Sequence, residues 1–157
     1  MKLHVKIFFI LIIAITASCG YKILDKDQLL NLKIKDINIS GDKKTAFLIK
    51  NNIQKILTRN QGNREIILNI KTEKTKKIKE KNLKNQITKY EITLNTNVAI
   101  EFINGNNNKE FLISVNGNYD IADNHTSTIN NQNNLEKNLT KTSTDQIINY
   151  LILKMNE

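Results

Sequence analysis

From Tyr90 to Phe102 the chain alternates. Tyr90, Ile92, Leu94, Thr96, Val98, Ile100 and Phe102 fall on one side, and Glu91, Thr93, Asn95, Asn97 and Glu101 on the other. Period two sustained over such a stretch is the mark of a strand with one face buried and one wet. It constrains everything around it, because an apolar sheet face must be covered by another layer. Phe111, Ile113, Val115, Gly117 and Tyr119 repeat the pattern after a turn at Asn104 to Asn108, and Ile66, Leu68 and Ile70 precede it. Three antiparallel strands in succession are therefore expected.

Upstream, Leu30, Leu32 and Ile34 alternate and the pattern resumes at Ile37 and Ile39 after a one-residue slip. This predicts a strand bulged at Lys35 and Asp36. Ser40-Gly41-Asp42 closes it, and the Asp42 carboxylate can accept the free N–H groups of a helix starting at Lys43. Ala46, Ile49, Ile53, Ile56 and Leu57 would share one face of that helix, with Gln61-Gly62-Asn63 as its stop and Gly62 free to turn left-handed. The stripe fits a helix lying on a sheet or one lying on a membrane, and the lack of an aromatic at its edge favours the sheet.

Near the C-terminus Leu135, Leu139, Ile147, Tyr150, Leu151 and Met155 recur at helical spacing, with Ser143 and Gln146 able to cap a second start. His125 to Asn134 is polar and Asn-rich, and reads as a connection. The expected fold class is α+β: a two-layer sandwich with a four-stranded, largely antiparallel sheet covered on one face by two helices, in the order β-α-β-β-β-α.

The N-terminus is of another kind. Lys2 and Lys6 precede an apolar run from Ile7 to Ile15, which ends in the small residues Thr16-Ala17-Ser18 before Cys19, the only cysteine. Residues 1–18 have the layout of a secretory signal, and the run is too short for a permanent membrane span. Ala17-Ser18-Cys19-Gly20 resembles the bacterial lipobox, with Thr16 where Leu is usual. The resemblance implies cleavage before Cys19, a diacylglycerol on its thiol and an acyl chain on the new amine. The alternative is an ordinary signal with an incidental cysteine after it. Two or three acyl chains hold a protein on a bilayer where one does not, so residues 19–30 would be a lipidated tether and residues 31–157 a single domain. Gly20 in place of Asp favours the outer membrane under the sorting rule known for enterobacterial lipoproteins.

With Cys19 lipidated no disulfide remains, and the core alone must hold the fold. His4 leaves with the signal and His125 stays, and neither a metal-ligand cluster, a Gly-rich phosphate loop nor a Ser-His-Asp set is apparent. No catalytic activity, metal or cofactor is expected beyond the covalent lipid. The formal charge is +9. An exported basic chain meets phosphorylated lipid more readily than nucleic acid. Its abundance of Lys, Asn and Ile, with no Pro, also carries the stamp of a low-GC genome. The densest charge, Lys71 to Lys84, reads as a long basic hairpin in which Lys74, Lys76, Lys77, Lys79, Lys81 and Lys84 are candidate phosphate ligands. The same run also reads as a merely solvated face.

Cys19-Gly20-Tyr21-Lys22-Ile23-Leu24, directly after an export signal, resembles the start of the LPS-assembly lipoproteins of the LptE family. Ile23 stands where that family often has Pro. Gly117-Asn118-Tyr119-Asp120-Ile121, followed by a polar stretch and a closing helix, resembles its alphaproteobacterial branch, although Asn and Thr replace the Ala usual in that helix. The resemblance implies a non-catalytic outer-membrane lipoprotein that plugs an LptD-type β-barrel, helps it assemble and binds lipopolysaccharide. Two rivals stay open. One is an outer-membrane scaffold without lipopolysaccharide binding, and the other is a hydrolase built around His125.

Overall fold

The computed structural model describes residues 32–57, 62–103, 105 and 108–154. The predicted Cys19 lipid site, the signal, the tether and Leu30 lie outside these residues. So do Gln61 of the expected helix stop, Asn104, Asn106 and Asn107 of the expected turn, and Met155. The element order is β1 (Leu32–Gly41), α1 (Lys43–Leu57), β2 (Arg64–Lys81), β3 (Ile87–Phe102), β4 (Lys109–Asp120) and α2 (His125–Lys154). The strands lie in the order β1-β2-β3-β4. β2 to β4 form an antiparallel meander, and β1 joins β2 in parallel through the α1 crossover. A parallel neighbour cannot be reached by a tight turn, so α1 is what the topology requires. The α+β class and the element order are as expected.

The bulge is where the slip placed it, as the β1–β2 register shifts between Ile34 and Asp36. Asp36 Oδ1 accepts the N–H of Ile37 at 2.7 Å, which stabilises the kink. At the far end Gly41 takes φ of 84°. A Cβ there would lie 1.9 Å from the carbonyl oxygen of Thr72, and that oxygen accepts the N–H of Asp42 at 2.9 Å. Only glycine permits both the left-handed backbone and so close an approach. Asp42 then caps α1, its Oδ1 accepting the N–H of Thr45 at 2.9 Å.

Both helices cover the same sheet face. Ala46, Ile49, Ile53 and Leu57 of α1 meet Leu32, Ile37, Ile66, Leu68 and Ile70, while Leu139, Ile147, Ile148, Leu151 and Ile152 of α2 cover Ile92, Leu94, Val98, Ile113 and Val115. Ile56 departs from the expected stripe. It is 38 % exposed and Thr45 is buried in the first turn instead. Phe111 stacks on Tyr150 with ring centroids 3.7 Å apart. Gly117 lets α2 close down on β4, since a Cβ there would fall 2.6 Å from Leu135 Cδ1.

The structure corrects the reading of the C-terminal region. His125 to Asn134 is not a connection but the first third of α2, a helix of 30 residues with no interruption at Ser143. Asn124 caps it, its Oδ1 accepting the N–H of Ser127 at 2.7 Å. The polar residues escape the apolar period because that part of α2 runs along the edge of the core. Ser143 opens no second helix. It is buried, and its hydroxyl donates to Thr96 Oγ1 at 3.0 Å across the helix–sheet interface.

Candidate functional site

The lysine run forms a protruding hairpin because β2 and β3 outrun their neighbours. β1 leaves β2 at Thr72, opposite Gly41, and β4 leaves β3 at Lys89, opposite Asp120. The β2–β3 register slips twice, between Ile78 and Glu80 and again between Glu80 and Lys81. Such bulges sharpen the twist of the ribbon. The predicted hairpin is there, but the pleat deals its lysines to opposite faces.

Lys74 and Lys76 pair with Leu94 and Ile92 and so face the helices. Lys74 Nζ lies 3.7 Å from Asp42 Oδ2 and 3.4 Å from Glu136 Oε1. Glu136, whose side chain is 11 % exposed, also draws Lys44 to 3.7 Å. Hydrogen bonds from Thr45, assisted by the Lys74 charge, hold the Asp42 carboxyl below its ordinary pKa against the opposing effect of burial. Lys76 Nζ sits 4.1 Å from the centroid of Tyr90 and 5.2 Å from that of Tyr119, and donates to Gln132 Oε1 at 3.1 Å. The tyrosine rings stack at 5.7 Å and the Tyr119 hydroxyl donates to the same oxygen at 2.9 Å. Tyr119 is a packing residue, and Lys76 is a cation held over two π faces.

The remaining lysines point outward. Lys79 pairs with Glu91 at 2.8 Å. Glu80 pairs with Lys89 at 3.1 Å, and that hydrogen bond raises the pKa of the Lys89 ammonium. Lys81 donates to the neutral Asn85 Oδ1 at 3.1 Å. Lys77 and Lys84 have no ion pair among the described residues. The six candidates therefore do not form one cluster: Lys74, Lys76 and Lys79 are engaged within the fold, and Lys77, Lys81 and Lys84 have no ion pair among the described residues.

The tip of the hairpin carries a feature that the lysine pattern does not show. Asn82 Oδ1 accepts the N–H groups of Lys84 and Gln86 at 2.9 and 3.0 Å. The Asn82 N–H donates to Gln86 O and the Asn85 N–H to Asn82 O, each at 2.9 Å. Asn82 Nδ2 also donates to Gln86 Oε1 at 2.9 Å, and Asn85 takes φ of 60°. This bonded turn holds Leu83 fully in solvent, at 108 % relative exposure, with Ile78 behind it at 50 %. A leucine between Asn82 and Lys84 in a turn was the available signal.

Two further surfaces belong to the body. The sheet face away from the helices is open and polar. Across it Asn38 donates to Asn69 at 2.9 Å, Asn69 to Glu101 at 2.5 Å and Asn97 to Glu110 at 2.6 Å. Asn97 Oδ1 is buried there with no partner among the described residues. Between α1 and α2 runs a groove of about 410 Å³ lined by Leu48, Ile56, Lys55, Lys137, Lys141 and Asp145. His125 is exposed at the start of α2. Among the described residues no group of three or more His, Cys, Asp or Glu could hold a metal, and no helix is long and apolar enough to cross a membrane.

No family model and no curated protein matches the chain. Solved structures do share its fold. A protein from Caulobacter crescentus described as a lipoprotein superposes with a TM-score of 0.55 at 14 % identity, over 83 % of this chain and 94 % of that one. Rare lipoprotein B from Shewanella oneidensis gives 0.51 at 12 % identity, over 78 % and 94 %. An uncharacterized lipoprotein B from Nitrosomonas europaea gives 0.51 at 10 % identity, over 82 % and 89 %.

Proposed function

We propose that this chain is an outer-membrane lipoprotein, anchored through acyl chains on Cys19, that partners an LptD-type β-barrel in delivering lipopolysaccharide to the outer leaflet. The observation that carries the reading is its fold, shared with three lipoproteins along nearly their whole length. The only cysteine of the chain also stands at the end of an export signal. The role is that of a plug and binding subunit, not an enzyme. A plug needs a rigid body with a polar surface toward the barrel lumen. The open sheet face supplies Asn38, Asn69, Glu101 and Glu110, together with the unpaired Asn97 acceptor. Lys77, Lys81 and Lys84 are the lysines left to meet lipopolysaccharide phosphates.

One observation favours the second reading, a scaffold that binds no lipopolysaccharide: Lys74, Lys76 and Lys79 already have partners in the fold. The test is an affinity pull-down of the tagged, membrane-extracted protein, with its partners identified by mass spectrometry. A large β-barrel recovered in equal amount is expected. Recovery alone, or with other envelope factors, overturns the barrel assignment. Binding of purified lipopolysaccharide by the unaltered protein separates the two readings, and unchanged binding by the triple variant Lys77→Glu, Lys81→Glu, Lys84→Glu removes the hairpin from that role.

A further inference from the structure

Water surrounds Leu83 on every side, yet nothing about its turn is loose. Five hydrogen bonds among Asn82, Lys84, Asn85 and Gln86 fix the turn, and the leucine it presents is covered by none of the described residues. Ordering a turn to hold an apolar side chain in water gains the isolated chain nothing, since burial of such a side chain is what stabilises a fold. Beside it stand Lys81 and Lys84, which have no ion pair among the described residues, while Lys79 and Lys89 are neutralised by Glu91 and Glu80. The tip stands roughly 15–20 Å past Lys76, the last lysine in contact with α2, at the usual rise of a strand. A leucine at the apex of a rigid ribbon with a cationic collar below it matches one surface in two respects. An anionic bilayer offers hydrocarbon to the apex and phosphate to the collar.

We propose that the β2–β3 hairpin is a second, non-covalent membrane contact, in which Leu83 enters the headgroup region of an anionic bilayer while Lys81 and Lys84 lie against its phosphates. Ile78, half-exposed on the helix-side face of the ribbon, follows when the tip sinks further. The contact needs no lipopolysaccharide, and it leaves the open sheet face free for a barrel. It goes beyond the reading above, and the two can fail separately.

The chain contains no tryptophan, so Leu83→Trp installs a single reporter at a position that none of the described residues covers. The full chain carrying this change is reconstituted into vesicles of phosphatidylglycerol and phosphatidylcholine. The indole emission is expected to shift to the blue and to be quenched by lipids labelled in the acyl chain. In vesicles of phosphatidylcholine alone it should stay water-like, and free inorganic phosphate should produce no shift. Adding Lys81→Gln and Lys84→Gln should lower the ratio of buried to hydrated indole about fivefold each, and high salt should act in the same direction. A Leu112→Trp control on the open sheet face should remain hydrated throughout. Water-like emission at position 83 in the anionic vesicles overturns the proposal, and so does an equal shift in the neutral ones.

Discussion

Asp42 serves three parts of the molecule with one side chain and one carbonyl. Its Oδ1 caps α1 through Thr45, its Oδ2 faces Lys74, and its carbonyl oxygen accepts the Thr72 hydroxyl at 3.1 Å. Because its folded pKa is lowered from 3.8, the ionised form stabilises the fold above that value, and the contribution is lost as pH falls through the folded pKa. Asp42→Ala should cost about 1 kcal/mol at neutral pH, the usual loss for a helix cap. Asp42→Asn keeps an acceptor and loses the charge, so its stability should change less than the parent's as pH drops below about 4. Urea unfolding from neutral to acid pH reads both. A parent and an Asp42→Asn variant that decline in parallel would remove Asp42 from the acid transition. This residue was legible because capping is local: an Asp directly before the helix is all it takes. The sorting of the lysines was not. Alternation shows in a sequence only when the two faces carry different residues, and Lys74, Lys76 and Lys77 are the same residue type on opposite faces.

Among the elements, β3 was plain because one of its faces is buried along most of its length and the other is wet, so period two survives intact. The β1 bulge was visible for the same reason, as a slip in that period. α2 was half hidden. Apolar periodicity reports burial rather than helicity, and from His125 to Asn134 the helix touches the core mainly through Gln132, whose carbonyl oxygen serves Tyr119 and Lys76. The Asn124 cap was the surviving signal. Ser143 could be read either as a cap or as part of one long helix, because a hydroxyl in a helix sequence suggests a cap, and here it meets Thr96 across the interface within a single helix. Ser143→Ala and Thr96→Val should each cost about 1–2 kcal/mol by leaving the other hydroxyl buried and unpaired. The double variant should cost less than their sum, by on the order of 1 kcal/mol. A double-mutant cycle followed by urea denaturation measures the difference, and strict additivity would show that the two hydroxyls are not coupled.

At the scale of the whole molecule, the body and the hairpin are separable in design. The core lies under α1 and α2, and the ribbon beyond Ile78 and Tyr90 adds no buried apolar side chain to it, meeting β4 only at its base through Lys89 and Asp120 and the bond from the Ile121 N–H to Thr88 O. Replacing Lys79 to Lys89 by Asn-Gly, so that Ile78 and Tyr90 flank a two-residue turn, should leave the sheet intact, since that dipeptide is favoured in the tightest hairpins. The melting temperature should move by no more than about 4 °C, and thermal unfolding by circular dichroism checks it. A large fall would mean that the ribbon supports the core after all. The sequence marks this division as a change of composition, with apolar alternation through Ile70 and charge from Lys71, but that the second half stands without support follows only from the early end of β1.

That early end has a consequence for many copies of the chain together. Past Thr72, the nine β2 residues Glu73 to Lys81 have no strand on the β1 side among the described residues, so along this edge their backbone donors and acceptors are open to an extended segment that comes near. Unguarded edges of this kind nucleate aggregates, and charged side chains are one of the ways proteins defend them. Two copies meeting edge to edge here would set ammonium against ammonium along the seam. Whatever else the lysines contact, their like charges oppose the knitting of neighbouring copies into a common sheet.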